Sequence, residues 1–180
     1  MLTIIVPESE IYNEETNEFI TINETVLRLE HSLVSISKWE SKWKKPFLGR
    51  ESKTRKELID YIRCMTITQN VPDAVYLCLT NENYDQIGAY IEDSMTATWF
   101  SDRTNKPNTE IITSELIYYW MVAFNIPWEA QKWHLNRLLT LIKVCSIKND
   151  PKNQKMSKSS IMKQNNALNR ARRAKHGSRG

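Results

Sequence analysis

Glycine is scarce in this chain, with four among 180 residues, and there are only six prolines. That leaves little room for long coil, so the compact part should be dense in regular structure. So few glycines could hardly build a phosphate-cradling loop, and neither Gly-x-Ser-x-Gly nor His-Glu-x-x-His occurs. Cysteine is also sparse. Cys64, Cys78 and Cys145 are odd in number, widely spaced and set in apolar segments, which suits free thiols in a reducing compartment better than a disulfide frame. His31, His134 and His176 have no Cys or His neighbour at ligand spacing, so neither a metal nor a cofactor is expected. On one continuous helix Cys145 and His134 would lie about 16 Å apart, too far for proton transfer. The longest apolar run, Ile111 to Pro127, contains Glu115 and Asn125 and falls short of the roughly 20 residues that span a bilayer. The start of the sequence shows no basic segment leading into an apolar one, so no export signal and no membrane association are expected. These absences favour a binding protein over an enzyme.

Acidic residues are missing from the C-terminal end. All 21 lie at or before Asp150, whereas nine of the 25 Lys and Arg lie after it. Up to residue 150, 16 cations meet 21 carboxylates and leave −5, and the last thirty residues carry +9. An acidic α+β body over 1–150, followed by a basic linker and helix over 151–180, is the expected organisation. Such a tail attracts polyanions, whether nucleic acid or an acidic protein face.

Strand signals come first. Thr3 to Val6 is β-branched and closes at Pro7; Glu10–Tyr12 and Phe19–Ile22 flank a polar stretch as in a hairpin; Val26 to His31 reads as a third strand. A small N-terminal antiparallel sheet is expected, then a mainly helical body and a basic C-terminal helix. Leu33, Ile36, Trp39 and Trp43 mark a helix from Ser32 to Lys45 that stops at Pro46. Thr54 with Glu57 makes a capping box for a helix carrying Leu58, Ile59, Ile62 and Met65, and Thr80 opens another. A second hairpin is expected from Ala97–Phe100 and Glu110–Thr113. Ser114 should cap a helix to Asn125 that is apolar almost all round and so belongs at the centre. Pro127 fits the first turn of the next helix, to about Lys148, and these two helices should form the structural heart. After Pro151, a last helix is expected from Lys158 to Lys175.

Most of the six tryptophans are expected in core packing. Trp39 and Trp43 are the exception: spaced i to i+4 and flanked by Lys38, Lys42, Lys44 and Lys45, they suggest a half-exposed aromatic ridge for a protein partner. The tail run containing Arg170, Arg172 and Arg173 has three readings: a solvated helix end, a phosphate-contacting arm, or an arm that orders on a protein. For the last, those three arginines are the candidate contacts.

Two stretches carry a resemblance. One runs from Leu29 through Trp43 to Lys45-Pro46-Phe47-Leu48. The other runs from Gln131 to Cys145 and is followed by the basic ending from Ala167 to Arg173. Together they resemble bacteriophage tail assembly chaperones, small proteins encoded among the tail genes of long-tailed phages. The family is mostly helical, so the N-terminal strands depart from its pattern. The resemblance implies a non-enzymatic protein of the host cytoplasm that binds the tape measure protein and tail tube subunits during virion assembly, with self-association into a homo-oligomer open. A structural virion protein of the neck, connector or baseplate is the alternative, and a nucleic-acid-binding protein using the basic tail is the less favoured one.

Overall fold

A period of two in the first strand sets the architecture. In β1 (Leu2–Val6) Ile4 and Val6 are buried while Thr3 and Ile5 face out, and in β4 (Thr25–Leu29) Leu27 and Leu29 alternate with exposed Val26 and Arg28. The two strands pair antiparallel, with Leu2 opposite Leu29 and Val6 opposite Thr25. Between them β2 (Ser9–Asn13) and β3 (Glu18–Ile22) form the expected hairpin. Paired residue numbers sum to 31 in both ladders, so one register runs through an interruption at Pro7 and Glu8. Proline has no N–H for the ladder there. The strand expected over Val26 to His31 thus pairs with the first, giving two strand pairs. On its other edge β4 meets the segment Met65 to Ile67: Ile67 N–H donates to the Arg28 carbonyl (2.8 Å), and Glu30 N–H to that of Met65 (2.9 Å).

The computed structural model describes residues 1–13, 18–98, 100, 111–149 and the single positions 162, 166, 169 and 170. The second expected hairpin falls mostly on 99 and 101–110, outside the described residues. So does most of the expected last helix, of which the four single positions are helical.

Side-chain caps start the helices. Helix α1 (Leu33–Trp43) begins at Ser32 with a Ser32–Ser35 capping box, and ends at Lys44 in the left-handed region (φ 56°), ahead of Pro46. Helix α2 (Arg55–Met65) has the Thr54–Glu57 box read from sequence, and α3 (Asn81–Glu92) has a Thr80–Asn83 box. Helix α4 (Ser114–Ala123) is capped by Thr113, one residue before the expected Ser114, and beyond its end the chain turns at Asn125, a residue type that tolerates its positive φ.

The body differs from expectation in its centre. Helix α4 buries only Ser114, Ile117 and Met121, while Tyr119 and Val122 are each 65% exposed, so uniform apolarity here did not mean central placement. The single helix expected from Pro127 is a 3-10 turn (Trp128–Lys132) and then α5 (Leu135–Asn149). They separate because Leu135 N–H donates to the His31 carbonyl at 2.8 Å, and Ser32 and His134 form an isolated β-bridge. Helix α1 is the hub, packing on α2, α4 and the Trp128–Lys132 turn. Its Leu33 and Ile36 are fully covered, and each such side chain contributes roughly 1.5–3 kcal/mol.

The chain divides into two units, Met1–Lys143 and Val144–Gly180. The division falls inside α5, ahead of the Asp150–Pro151 junction expected from sequence, because Ile142 is the last buried residue of that helix. The two strand pairs with the helices make the fold α+β.

Candidate partner-binding groove

Three buried carboxylates tie the C-terminal half of α1 to its surroundings. Glu57 accepts from Thr54 N–H (2.7 Å), the Thr54 hydroxyl (2.9 Å) and Lys45 Nζ (3.1 Å). Thr54's backbone donor first, then Lys45, hold its carboxyl down at about 2. Asp60 accepts from Trp43 Nε1 at 2.8 Å and from Lys42. Burial pushes Asp60 up, but those two hydrogen bonds and the charges of Lys42 and Arg63 outweigh it and hold the carboxyl below its ordinary value. Glu40 receives Phe47 N–H (2.7 Å) and Ser114 N–H (2.8 Å), joining the loop after α1 to the start of α4.

This arrangement corrects the expected aromatic ridge. Trp39 is 1% exposed; its indole N–H donates to the Glu57 carbonyl at 2.9 Å and its ring meets Phe47 edge-on at 5.2 Å. Trp43 stacks beside it at 6.2 Å, so the i, i+4 geometry holds, but α2 and Phe47 cover that side. Lys38 and Lys42 are exposed, as expected. Each precedes its tryptophan by one residue and so projects about a quarter-turn away around the helix, where it cannot keep the indole open. Trp39 is therefore a core residue, and Trp43 is half-buried.

What remains accessible is an open groove of about 630 Å³ beside Trp43. Trp43, Ile59 and Leu77 supply its apolar walls, and Leu77 is 57% exposed. Lys42, Arg55, Lys56 and Arg63 bring cations around it, with Asp60 the one carboxylate in the lining. Lys42 is engaged with Asp60, and Arg63 lies 3.4 Å from Asp73 and over the Tyr76 ring. The side chains of Arg55 and Lys56 have no hydrogen bond or ion pair among the described residues. Two of the residues singled out from sequence, Lys42 and Trp43, lie in this groove; Arg55, Lys56, Ile59, Arg63 and Leu77 were missed. Two cations at the first two positions of a well-capped helix were the available signal. Arg170 is an exposed helical residue of the second unit, and Arg172 and Arg173 lie outside the described residues.

The structure also gathers groups that sequence spacing kept apart. His31 and His134 lie ring to ring at 5.0 Å; His31 Nδ1 is 2.5 Å from the Tyr61 hydroxyl, and His134 Nε2 is 2.9 Å from the Tyr90 carbonyl. All four residues are buried, so the cluster works as core hydrogen bonding. Burial, then the nearby His134, pushes His31 down to about 4. Burial pushes the Cys64 thiol up, away from the range of an activated nucleophile. Cys64, Cys78 and Cys145 are free, and each is partly exposed. Among the described residues no group of His, Cys, Asp or Glu could hold a metal, and no helix is long and apolar enough to cross a membrane. Comparison with protein-family models, curated proteins and solved structures finds no match.

Proposed function

We propose that this protein is an assembly chaperone of the phage-tail kind, which acts in the host cytoplasm by holding the tape measure protein, and tail tube subunits, until the tail closes. It works by binding and carries out no reaction. The observation behind this reading is the groove itself: an apolar wall made by Trp43, Ile59 and Leu77, with Arg55 and Lys56 beside it, whose side chains have no partner among the described residues. A long apolar-patterned helix awaiting its tube needs a cover that is sticky but still soluble, and helix-in-groove contact supplies one. Lys38, exposed midway along α1, and the arginines at 170, 172 and 173 are further candidate contacts for such a partner.

The test is co-expression with a tape measure protein from a phage genome that encodes this chain, followed by pull-down. The wild type should retain it, and Trp43→Ala or Leu77→Asn should weaken retention by about 1–3 kcal/mol, as loss of an interface anchor does. Failure of the wild type to retain the tape measure protein ends the chaperone reading. Presence of the chain in purified virions would favour the neck, connector or baseplate alternative.

A further inference from the structure

We propose that the groove between α1 and α2 is a site for an acidic amphipathic helix: a partner segment with Glu or Asp on one flank and an apolar stripe on the other. This rests on the reading that the groove is a partner-binding surface, and it names the chemistry of the occupant.

The main argument is a conflict between local stability and the residues present. Arg55 and Lys56 occupy the first turn of α2, where the partial positive charge of the helix end disfavours cations and favours carboxylates. Glu57, in the same turn, follows the rule and is used by the capping box. The two cations break it, and neither side chain has an ion pair or hydrogen bond among the described residues. Lys42 reaches the same groove from α1 with its side chain 59% exposed. Arg63 adds a fourth cation, although its Nε lies 3.4 Å from the Asp73 carboxylate. Against these stands one carboxylate, Asp60, already occupied by Trp43 and Lys42. The lining is thus net +3 on a body whose first 150 residues sum to −5. A ligand with carboxylates complements these cations.

The apolar wall decides between classes of anion. Duplex DNA would meet the cations with phosphates but leave Leu77 and Ile59 uncovered, and the groove is lined by one aromatic ring, Trp43, where the channels that hold single strands stack successive bases on several. A helix offers both chemistries on adjacent faces, with apolar anchors at i, i+3 and i+4 and carboxylates one position to the side.

The test uses the full-length protein and a synthetic, end-blocked Leu/Ala/Glu amphipathic helix, long enough to be helical alone, at about 18 residues. Binding is followed by titration with a dye-labelled peptide. A counterpart with Gln for every Glu should bind at least tenfold more weakly. Arg55→Glu and Lys56→Gln should each weaken the acidic peptide about tenfold while leaving the melting temperature unchanged or higher, because each removes a cation from a helix N-terminus. Leu77→Asn, at an exposed position, should weaken both peptides. Equal binding of the two peptides, no binding of either, or a fall in melting temperature in Arg55→Glu that accounts for its lost binding would overturn the proposal. So would displacement of the peptide by a short DNA duplex at equal concentration. If the acidic peptide binds as described but no tape measure protein is retained, the chaperone reading fails and this assignment stands; the reverse pair of results sinks the assignment alone.

Discussion

Replacing Trp39 separates a core tryptophan from a binding one. Trp39→Ala removes a side chain that is 1% exposed and lies at the hub of the fold, against Phe47 and Trp43. Truncation of a buried Trp costs about 3–5 kcal/mol. The upper end applies here, because the Glu57 carbonyl also loses its 2.9 Å partner inside the protein and the edge-on contact with Phe47 goes with the ring. At about 2–4 °C per kcal/mol for a chain of this size, 4–5 kcal/mol lowers Tm by roughly 10–15 °C. Trp39→Phe keeps most of the volume and loses the N–H, so it should cost about 1–2 kcal/mol. Trp43→Ala should cost about 2 kcal/mol, since its ring is half-buried and Asp60 keeps Lys42 and Arg63 after the indole N–H is gone. Urea unfolding followed by far-UV circular dichroism, with thermal melts of the same four proteins, measures the ladder. Should Trp39→Ala cost less than about 1.5 kcal/mol, or Trp43→Ala unfold as easily as Trp39→Ala, the division between core and groove residue is wrong.

Further outcomes follow from the same packing. His31 is 2% exposed and held down to about 4 against its ordinary 6.5, so between those values the unfolded chain takes up a proton that the folded one refuses. Its contribution is fully present above about 6.5 and is lost as pH falls toward 4, which amounts to ~2–3 kcal/mol by about pH 4.5. Urea midpoints at about pH 7 and pH 4.5 measure this, and a His31→Asn variant should show a flatter profile; equal slopes in both proteins would remove His31 as the cause. Glu40→Ala leaves Phe47 N–H and Ser114 N–H without their carboxylate acceptor and should cost about 2–4 kcal/mol; a loss under 1 kcal/mol in chemical denaturation would mean that water replaces it freely. On α4, Met121→Ala should cost about 2–5 kcal/mol and its neighbour Val122→Ala no more than about 0.5, and comparable losses in a paired melt would restore the all-round buried helix.

The local devices were legible in the residues themselves. Thr54 with Glu57 specifies a helix start wherever the segment lies, because both partners of the capping box are three residues apart in the chain. The β-branched run from Thr3 to Val6 that closes at Pro7, and the polar gap between Tyr12 and Phe19, likewise identify strands and a hairpin from short-range pattern. Pairing of β1 with β4 was not legible, since it closes around a whole hairpin and nothing within either strand names its partner. The sequence also determined that Trp39 and Trp43 share a face of α1. Only the tertiary structure decided that α2 and Phe47 would cover Trp39, because an apolar stripe states how much surface must be buried and not what buries it. For the same reason α4, the most apolar helix by composition, lies with one side open, and α1, with its lysines, occupies the centre. The groove is the clearest case. Its residues come from α1, α2 and the Asp73–Leu77 turn, and their cations sum into one field only after packing has brought those three elements together.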